Sequence, residues 1–336
     1  MSPDSPTLAA QFADLLAVVS GSPRQSRTFL VGGVPVALSA ADPRVLDAFT
    51  WPFRHLQVPD RPPQARIELL SRAETADRLR PRWTWQVALY ADDRYEFRSM
   101  DWVGILEAWD SGTTTSILVV DATDLDRLRR PETTRESLER LVARFGRFSV
   151  HGGTLGDAET CVLMVGKGGS GKSSLVAHGV RAGFSSLGDD FLYLDRRDGS
   201  APFLWSTYGT VKLAPSSPAA DLVGSREEVV DGKRLGWLDD VAPGCLVAGQ
   251  RPIALVVPSV GDRVSIGPAD ERAVLTALLP TSAMLASGRA ETVRALVEFA
   301  RTVPCYALSV AHDPDRELAA LMSVAPAIQP RGSAAS

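Results

Sequence analysis

The chain has 336 residues, 45% of them hydrophobic and 23% charged, and a formal net charge of −4, which suits one large or two medium globular domains. Neither that charge nor any Lys- or Arg-rich run favours nucleic acid as a partner. The longest apolar runs fall far short of a membrane span and the N-terminus lacks the order of a secretion signal, so we expect a cytoplasmic protein with no membrane partner.

The first part of the chain predicts a helix followed by strands. Residues 8–20 repeat apolar side chains at helical spacing, and Thr7 is placed to cap them. The apolar face consists of Leu8, Phe12, Leu15 and Leu16. Separated by turn signals, the strands are predicted at 28–31, 34–38, 66–70, 83–90, 95–99, 103–109 and 114–120. We therefore predict a smaller α+β domain with an antiparallel sheet over residues 1–128.

Tryptophans are concentrated in this predicted sheet. Four of the seven lie between residues 83 and 109, and Trp83 and Trp85 fall on one face of their strand. Packing against the N-terminal helix is the commoner role for such a face, and an aromatic groove for a peptide is the alternative. The sheet is thus a candidate surface for acceptor recognition.

A charged linker at 124–131 and a helix at 132–145 lead to the most informative segment, residues 166–173. It is a complete G-x-x-x-x-G-K-[ST] phosphate loop of the Walker A type. Its glycines allow a tight turn that aims backbone N–H groups at phosphates. An apolar strand at 160–165 precedes the loop and a helix follows it, which favours nucleotide binding over an accidental glycine-rich hairpin.

Each residue type in the loop has an expected task. Lys172 is expected to reach the β- and γ-phosphates of ATP, and Ser173 to ligate Mg²⁺. The candidate nucleotide-binding residues are Gly166, Gly168, Gly169, Ser170, Gly171, Lys172, Ser173 and Ser174.

Two acidic residues and a histidine lie near the loop in sequence. Asp189 and Asp190 precede an apolar strand at 191–194, and adjacent side chains on extended backbone point to opposite faces. One carboxylate could then serve Mg²⁺ while the other accepts the proton of an attacking hydroxyl, with a solvated turn as the alternative. His151, just before the phosphate-loop strand, is a candidate for the same centre.

In order and spacing, these elements resemble the catalytic domain of the HPr kinase/phosphorylase family, whose core is also similar to phosphoenolpyruvate carboxykinase. The resemblance covers residues 149–195 and includes Gly183. It implies an α/β P-loop kinase core over 129–328, with ATP and Mg²⁺ as cofactors. The catalytic residues it implies are His151, Lys172, Asp189 and Asp190, and the metal ligands are Ser173 and Asp189. Which aspartate serves the metal and which is the base is left open by the resemblance.

The sequence departs from the family in two places. Ser174 stands where the family carries an acidic residue, and we find no counterpart of the glycine-rich segment linked to HPr recognition and phosphorolysis. These two departures predict a phosphoryl acceptor other than HPr. It is expected to be Ser or Thr of a peptide or small protein, or alternatively a small metabolite such as free serine or a sugar. The third alternative is a non-catalytic regulatory protein that binds ATP. Members of the family form hexamers, so the resemblance also allows a homo-oligomer.

The remaining segments predict the rest of the core. Strands are expected at 253–258 and 305–310, helices at 273–279, 291–300 and 315–322, and a disordered tail at 329–336. Lys212 lies in an apolar, strand-like segment, so a phosphate or acceptor contact and a surface position are equally open, whereas surface charge is favoured for Lys233 and Arg234. The scattered cysteines and histidines predict reduced thiols and no structural metal.

Overall fold

The computed structural model describes residues 7–59, 61–75, 89–100, 105–195, 201–222, 228–230, 232–282 and 289–331. The chain divides into two compact units, residues 1–141 and 142–336. Each unit combines helices with a sheet that contains both parallel and antiparallel pairs, which makes the chain a mixed α/β protein. None of the helices in the described ranges is both long and apolar enough to cross a membrane.

The first unit is built on one mixed sheet. Its strands are β1 (Gln25–Val31), β2 (Val34–Ala40), β3 (Ala65–Ser71), β4 (Leu89–Ala91), β5 (Tyr95–Met100), β6 (Ile105–Asp110) and β7 (Thr115–Val120). Its helices are α1 (Leu8–Ser20), α2 (Pro43–Thr50), α3 (Arg72–Thr75), α4 (Leu125–Leu128) and most of α5 (Pro131–Ala143). The strand order is β1-β2-β3-β7-β6-β5-β4.

The prediction of an antiparallel sheet is wrong for the centre of this unit. The β1–β2 hairpin turns at Gly32 and Gly33 as expected, and β4 to β7 pair antiparallel. However, β3 runs parallel to both β2 and β7. Between β2 and β3 the chain crosses over through α2 and the turn Trp51–Leu56, and such a crossover is what parallel neighbours require. Strand residues predicted at 83–88 and 103–104, with Trp83 and Trp85, lie outside the described residues.

Helix α1 covers one face of the first sheet. Leu8, Phe12 and Leu15 are buried as predicted, and the Phe12 ring lies 5.4 Å from that of Tyr95 and 6.5 Å from that of Phe97. Leu16, which the sequence places on the same face, is 38% exposed. The helix therefore buries a narrower stripe than the pattern predicts.

Helix α5 is tied to the first unit by ion pairs. Arg140 Nη1 lies 2.8 Å from Glu107 Oε2, where Glu107 is only 1% exposed, and Arg140 also pairs with Glu96. Arg98 Nη2 lies 2.5 Å from Glu136 Oε2. These pairs place residues 131–141 with the first unit, whereas the boundary expected from sequence at 128/129 assigns them to the second.

The second unit carries the glycine-rich loop at 166–173 on a seven-stranded sheet. The strands are β8 (Arg147–Gly156), β9 (Thr160–Val165), β10 (Phe191–Asp195), β11 (Phe203–Ser206), β15 (Gly249–Val260), β16 (Ser265–Pro268) and β17 (Cys305–Val310). Their order in the sheet is β11-β10-β8-β9-β15-β17-β16. A smaller sheet of order β12-β14-β13 contains β12 (Thr210–Leu213), β13 (Glu228–Val230) and β14 (Lys233–Trp237). The helices are α6 (Lys172–Arg181), α7 (Leu238–Val241), α8 (Glu271–Ser282), α9 (Arg289–Thr302) and α10 (Pro314–Ser323).

Strand alternation gives the second sheet two buried faces. Val162 and Met164 of β9 face the cluster formed with α6 and α10, and Leu163 and Val165 face the one formed with α8 and α9. β9, β15 and β17 run parallel, so their carboxyl ends share one edge. The segment after β9 emerges at that edge, between the helical layers.

The last described residues are anchored to the end of α6. Arg331 N donates to Gly183 O at 2.7 Å and Arg331 Nη1 donates to Pro243 O at 3.0 Å. Gly183 has φ 98, a conformation that glycine adopts freely. Residues 329–331 of the predicted disordered tail are therefore held in place, and 332–336 lie outside the described residues.

Two ion pairs of similar length but unequal burial provide a test of this packing. Arg147 Nη1 and Asp195 Oδ1 are 2.9 Å apart across β8 and β10 with side chains 4% and 9% exposed. Arg301 Nε and Glu271 Oε1 are 2.8 Å apart at 61% and 44% exposure. Arg147→Met leaves the buried Asp195 carboxylate without its charged partner and should lower the free energy of unfolding by about 3 kcal/mol.

Arg301→Met is the matched control, because loss of an exposed pair should change that free energy by less than about 1 kcal/mol. Urea unfolding followed by circular dichroism measures both variants. Equal losses in the two would contradict the assignment of Arg147 as a core ion pair.

Candidate functional site

The loop between β9 and α6 has the backbone that its glycines predict. Gly166, Gly169 and Gly171 have φ values of 150, 80 and 99, and Gly171 caps α6. A Cβ added to Gly168 or Gly169 would meet nothing within 4 Å, so this side of the loop is open. The loop thus presents bare backbone and the first turn of a helix to an empty space, as an anion site requires.

Lys172 lies across the loop. The residue is 6% exposed, and its Nζ donates to Gly166 O at 2.6 Å and to Lys167 O at 3.1 Å. Burial lowers the pKa of the ammonium, and Asp189 and Asp190 oppose that shift. A buried cation is therefore held on two carbonyl oxygens at the place where the sequence predicts phosphate.

Asp189 is buried beside the start of α6. It is 3% exposed, the nearby Ser173 hydroxyl acts to lower its pKa, and its Oδ1 has no hydrogen-bond partner among the described residues. Burial, followed by the charge of Asp190, raises the pKa of Asp189 to about 6, against the opposing effects of Ser173 and Lys172. At neutral pH the carboxylate is mostly ionised and one oxygen still lacks a partner.

Asp190 faces a different set of side chains. Its Oδ1 lies 3.2 Å from His151 Nδ1 and its Oδ2 lies 3.5 Å from Lys212 Nζ. The two carboxylates diverge as predicted, but not by strand alternation: both residues precede β10, and Asp190 has φ 85, a strained value for a residue with a Cβ. Gly152 N donates to Asp190 O at 3.0 Å and fixes this turn.

His151 is positioned from three sides. Its Nδ1 faces Asp190, its ring lies 5.1 Å from the Phe191 ring, and its backbone N donates to Ser282 Oγ at 2.9 Å. Ser282 ends α8, and nothing in the sequence marks it as part of this centre. Lys212 also lies beside this centre through its contact with Asp190, and a phosphate or acceptor contact of that lysine stays a prediction.

One cavity of about 360 Å³ joins the loop to these side chains. Its wall includes the predicted residues 168–174 together with His151, Asp189, Asp190, Lys212 and Lys233. It also includes His178, which lies on α6 without a sequence signal, and residues that are distant along the chain: Ser217, His312, Pro314 and Glu317. Ser174 Oγ lies 2.7 Å from Ser217 Oγ, so the position of the missing acidic residue is occupied by a hydroxyl pair.

The oxygen atoms present fit a magnesium ion better than a soft metal. The Ser173 hydroxyl and the unpartnered Asp189 oxygen are hard ligands, and Mg²⁺ usually takes only one or two protein oxygens beside phosphate and water. In the part of the chain that the structure describes, no group of three or more His, Cys, Asp or Glu side chains could hold a metal alone. The cysteines are free.

Comparison with known proteins adds little. No protein-family model matches the chain, and no curated protein matches it. Among solved structures, it is similar to the Hpr(Ser) kinase/phosphatase from Coxiella burnetii, with 11% identity and a TM-score of 0.31, over 53% of this chain and 97% of that one. At that level the likeness has no bearing on function, which has to be inferred from the side chains of the site.

The raised pKa of Asp189 predicts the pH dependence of stability. The folded pKa of about 6 lies above the ordinary carboxyl value of 3.8, so the folded state binds a proton first and gains stability as pH falls from about 6 to 4. Asp189→Asn removes the buried charge. It should raise the free energy of unfolding at pH 7.5 by up to about 3 kcal/mol and abolish this pH-dependent gain.

Urea titrations between pH 4 and 8 on the ligand-free protein measure both effects. The control is Asp221→Asn, because that side chain is fully exposed. If wild type and Asp189→Asn have the same unfolding free energy at every pH, the carboxylate is not a buried, destabilising charge.

Proposed function

We propose that this protein is an ATP- and Mg²⁺-dependent kinase that phosphorylates a hydroxyl group, most directly a Ser or Thr of a peptide or small protein. The observation that carries the proposal is the environment of Asp189. A buried carboxylate with an unpartnered oxygen is costly unless a cation joins it. Here the carboxylate adjoins a hydroxyl ligand, a buried lysine and an open glycine loop.

The residues around the cavity suit a nucleoside triphosphate with its metal. The open backbone at Gly168 and Gly169 and the start of α6 suit phosphate oxygens. Ser173 and Asp189 would hold Mg²⁺, and Lys172 would exchange its two carbonyl contacts for phosphate oxygens. When bound, ATP with Mg²⁺ supplies the phosphoryl group and neutralises charge that develops on it.

In this proposal Asp190 is the general base. Its side chain is 26% exposed, so an acceptor hydroxyl can reach it, whereas Asp189 is buried. Asp190 accepts the proton of the acceptor hydroxyl as that oxygen attacks the γ-phosphorus, and the bond from this phosphorus to the β,γ-bridging oxygen breaks, so that ADP leaves. His151 at 3.2 Å orients the carboxylate, and Lys212 at 3.5 Å adds positive charge beside the transferred group.

The cavity volume supports a second candidate acceptor. About 360 Å³ is modest for a nucleotide and a further substrate together. A small hydroxyl compound, such as free serine or a sugar, therefore remains the alternative to a peptide. Both acceptors use the same residues and the same proton transfer.

Transfer of labelled γ-phosphate from ATP tests the proposal, with peptide and metabolite fractions of a native extract as acceptors. Lys172→Ala removes the loop cation, and Asp190→Asn removes the base while retaining a residue that tolerates positive φ. Each should reduce transfer at least about 100-fold. Chelation of Mg²⁺ should abolish it.

The control is Asp221→Asn. The Asp221 carboxylate is fully exposed between β12 and β13, so its loss should leave transfer unchanged. Label in the peptide fraction would favour the peptide acceptor, and label in the metabolite fraction the small one. Tight ATP binding with no transfer to either fraction would contradict a kinase and favour a protein that ATP regulates.

A further inference from the structure

The cavity continues past the phosphate loop toward the end of β17. In the sheet, β15 and β17 lie on the opposite side of β9 from β8 and β10, which bring in His151 and Asp190. Val310 ends β17 against the loop, since a Cβ added to Gly171 would lie 3.2 Å from Val310 Cγ2. The residues after Val310 therefore extend the cavity wall at the carboxyl edge of the parallel strands, where α/β sheets bind ligands.

His178 forms part of this wall with an unused polar atom. It lies one turn beyond Ser174 on α6, and its Nε2 is buried without a hydrogen-bond partner among the described residues. Burial lowers the pKa of the imidazole, against the opposing charge of Glu317, so the ring is neutral at pH 7. A neutral imidazole has one donor and one acceptor nitrogen, which suits the mixed edge of a heterocycle.

The facing wall is a loop with a fixed backbone. Glu317 is 7% exposed, and its Oε1 accepts Ala311 N at 2.8 Å and Asp313 N at 3.2 Å. Between these amides, His312 has φ 60, which a residue with a Cβ rarely adopts. Because Glu317 already uses both amides, the loop contributes the His312 imidazole and the Pro314 ring to the cavity wall. Such rings suit packing against a planar group.

We infer that this end of the cavity binds the heterocyclic base of the nucleotide. His178 hydrogen-bonds a nitrogen of the base, and His312 and Pro314 pack against its plane. The inference rests on the proposed nucleotide-dependent function and gives the site a direction along the sheet edge: the base beside β17, the phosphates on the loop after β9, and the acceptor at Asp190.

Binding of two ligands that share the phosphate chain but differ by the nucleoside tests this direction. Mg²⁺-ATP and Mg²⁺-tripolyphosphate share the phosphate chain, and calorimetry gives a Kd for each without requiring phosphoryl transfer. His178→Ala should weaken ATP binding about 10-fold and change tripolyphosphate binding less than about 2-fold. His312→Ala should follow the same pattern with a loss of about 3-fold, because it removes packing alone.

Retained tripolyphosphate binding also shows that each variant is folded. His178→Gln keeps an amide nitrogen near the position of Nε2, so it should bind ATP more tightly than His178→Ala does. Glu298 is exposed on α9, and Glu298→Ala should alter neither Kd. Equal losses for both ligands, or none for ATP, would overturn the base assignment and leave the kinase proposal standing. A wild-type protein that binds neither ligand would overturn both.

Discussion

The turn from Gly188 to Asp190 is the constraint on which the candidate site depends. Gly188 has φ 122, and a Cβ there would lie 2.0 Å from Tyr208 O, so only glycine fits. At the other end, Asp190 is held at φ 85 while its carbonyl accepts Gly152 N. Pinned at both ends, the turn directs Asp189 inward to Ser173 and Asp190 outward to His151 and Lys212. Two adjacent residues thereby receive separate environments and separate chemistry.

The buried surroundings of the centre make the ionised forms of Asp189 and Lys172 less stable than they are in water. Burial raises the pKa of Asp189 and lowers that of Lys172, and each is only partly offset by the other. The surrounding sheet and helices, packed on both faces, supply the rigidity that holds such groups in place. A ligand that brings a divalent cation together with phosphate oxygens satisfies both groups at once, whereas either component alone satisfies one.

What the sequence could predict was local. The strand, loop and helix around Lys172 follow from the spacing of glycines and apolar residues, and the Asp189–Asp190 pair is recognisable because its members are adjacent. Contacts made by Ser282, Ser217 and Lys212 join segments far apart along the chain, and no spacing encodes them. The same reason explains the first sheet: each strand is recognisable by itself, but parallel or antiparallel pairing depends on a crossover through α2 that turn signals do not reveal.

The resting position of Lys172 bears on which anions can occupy the loop. Its ammonium donates hydrogen bonds to two carbonyl oxygens of the loop, so any incoming anion competes with intramolecular partners whose effective concentration is high. A single sulfate or inorganic phosphate gains few contacts with which to displace it. In the proposed function, a polyphosphate chain would engage the lysine, the helix amides and the proposed metal ligands together. The loop would then favour extended polyanions over single phosphate or sulfate ions.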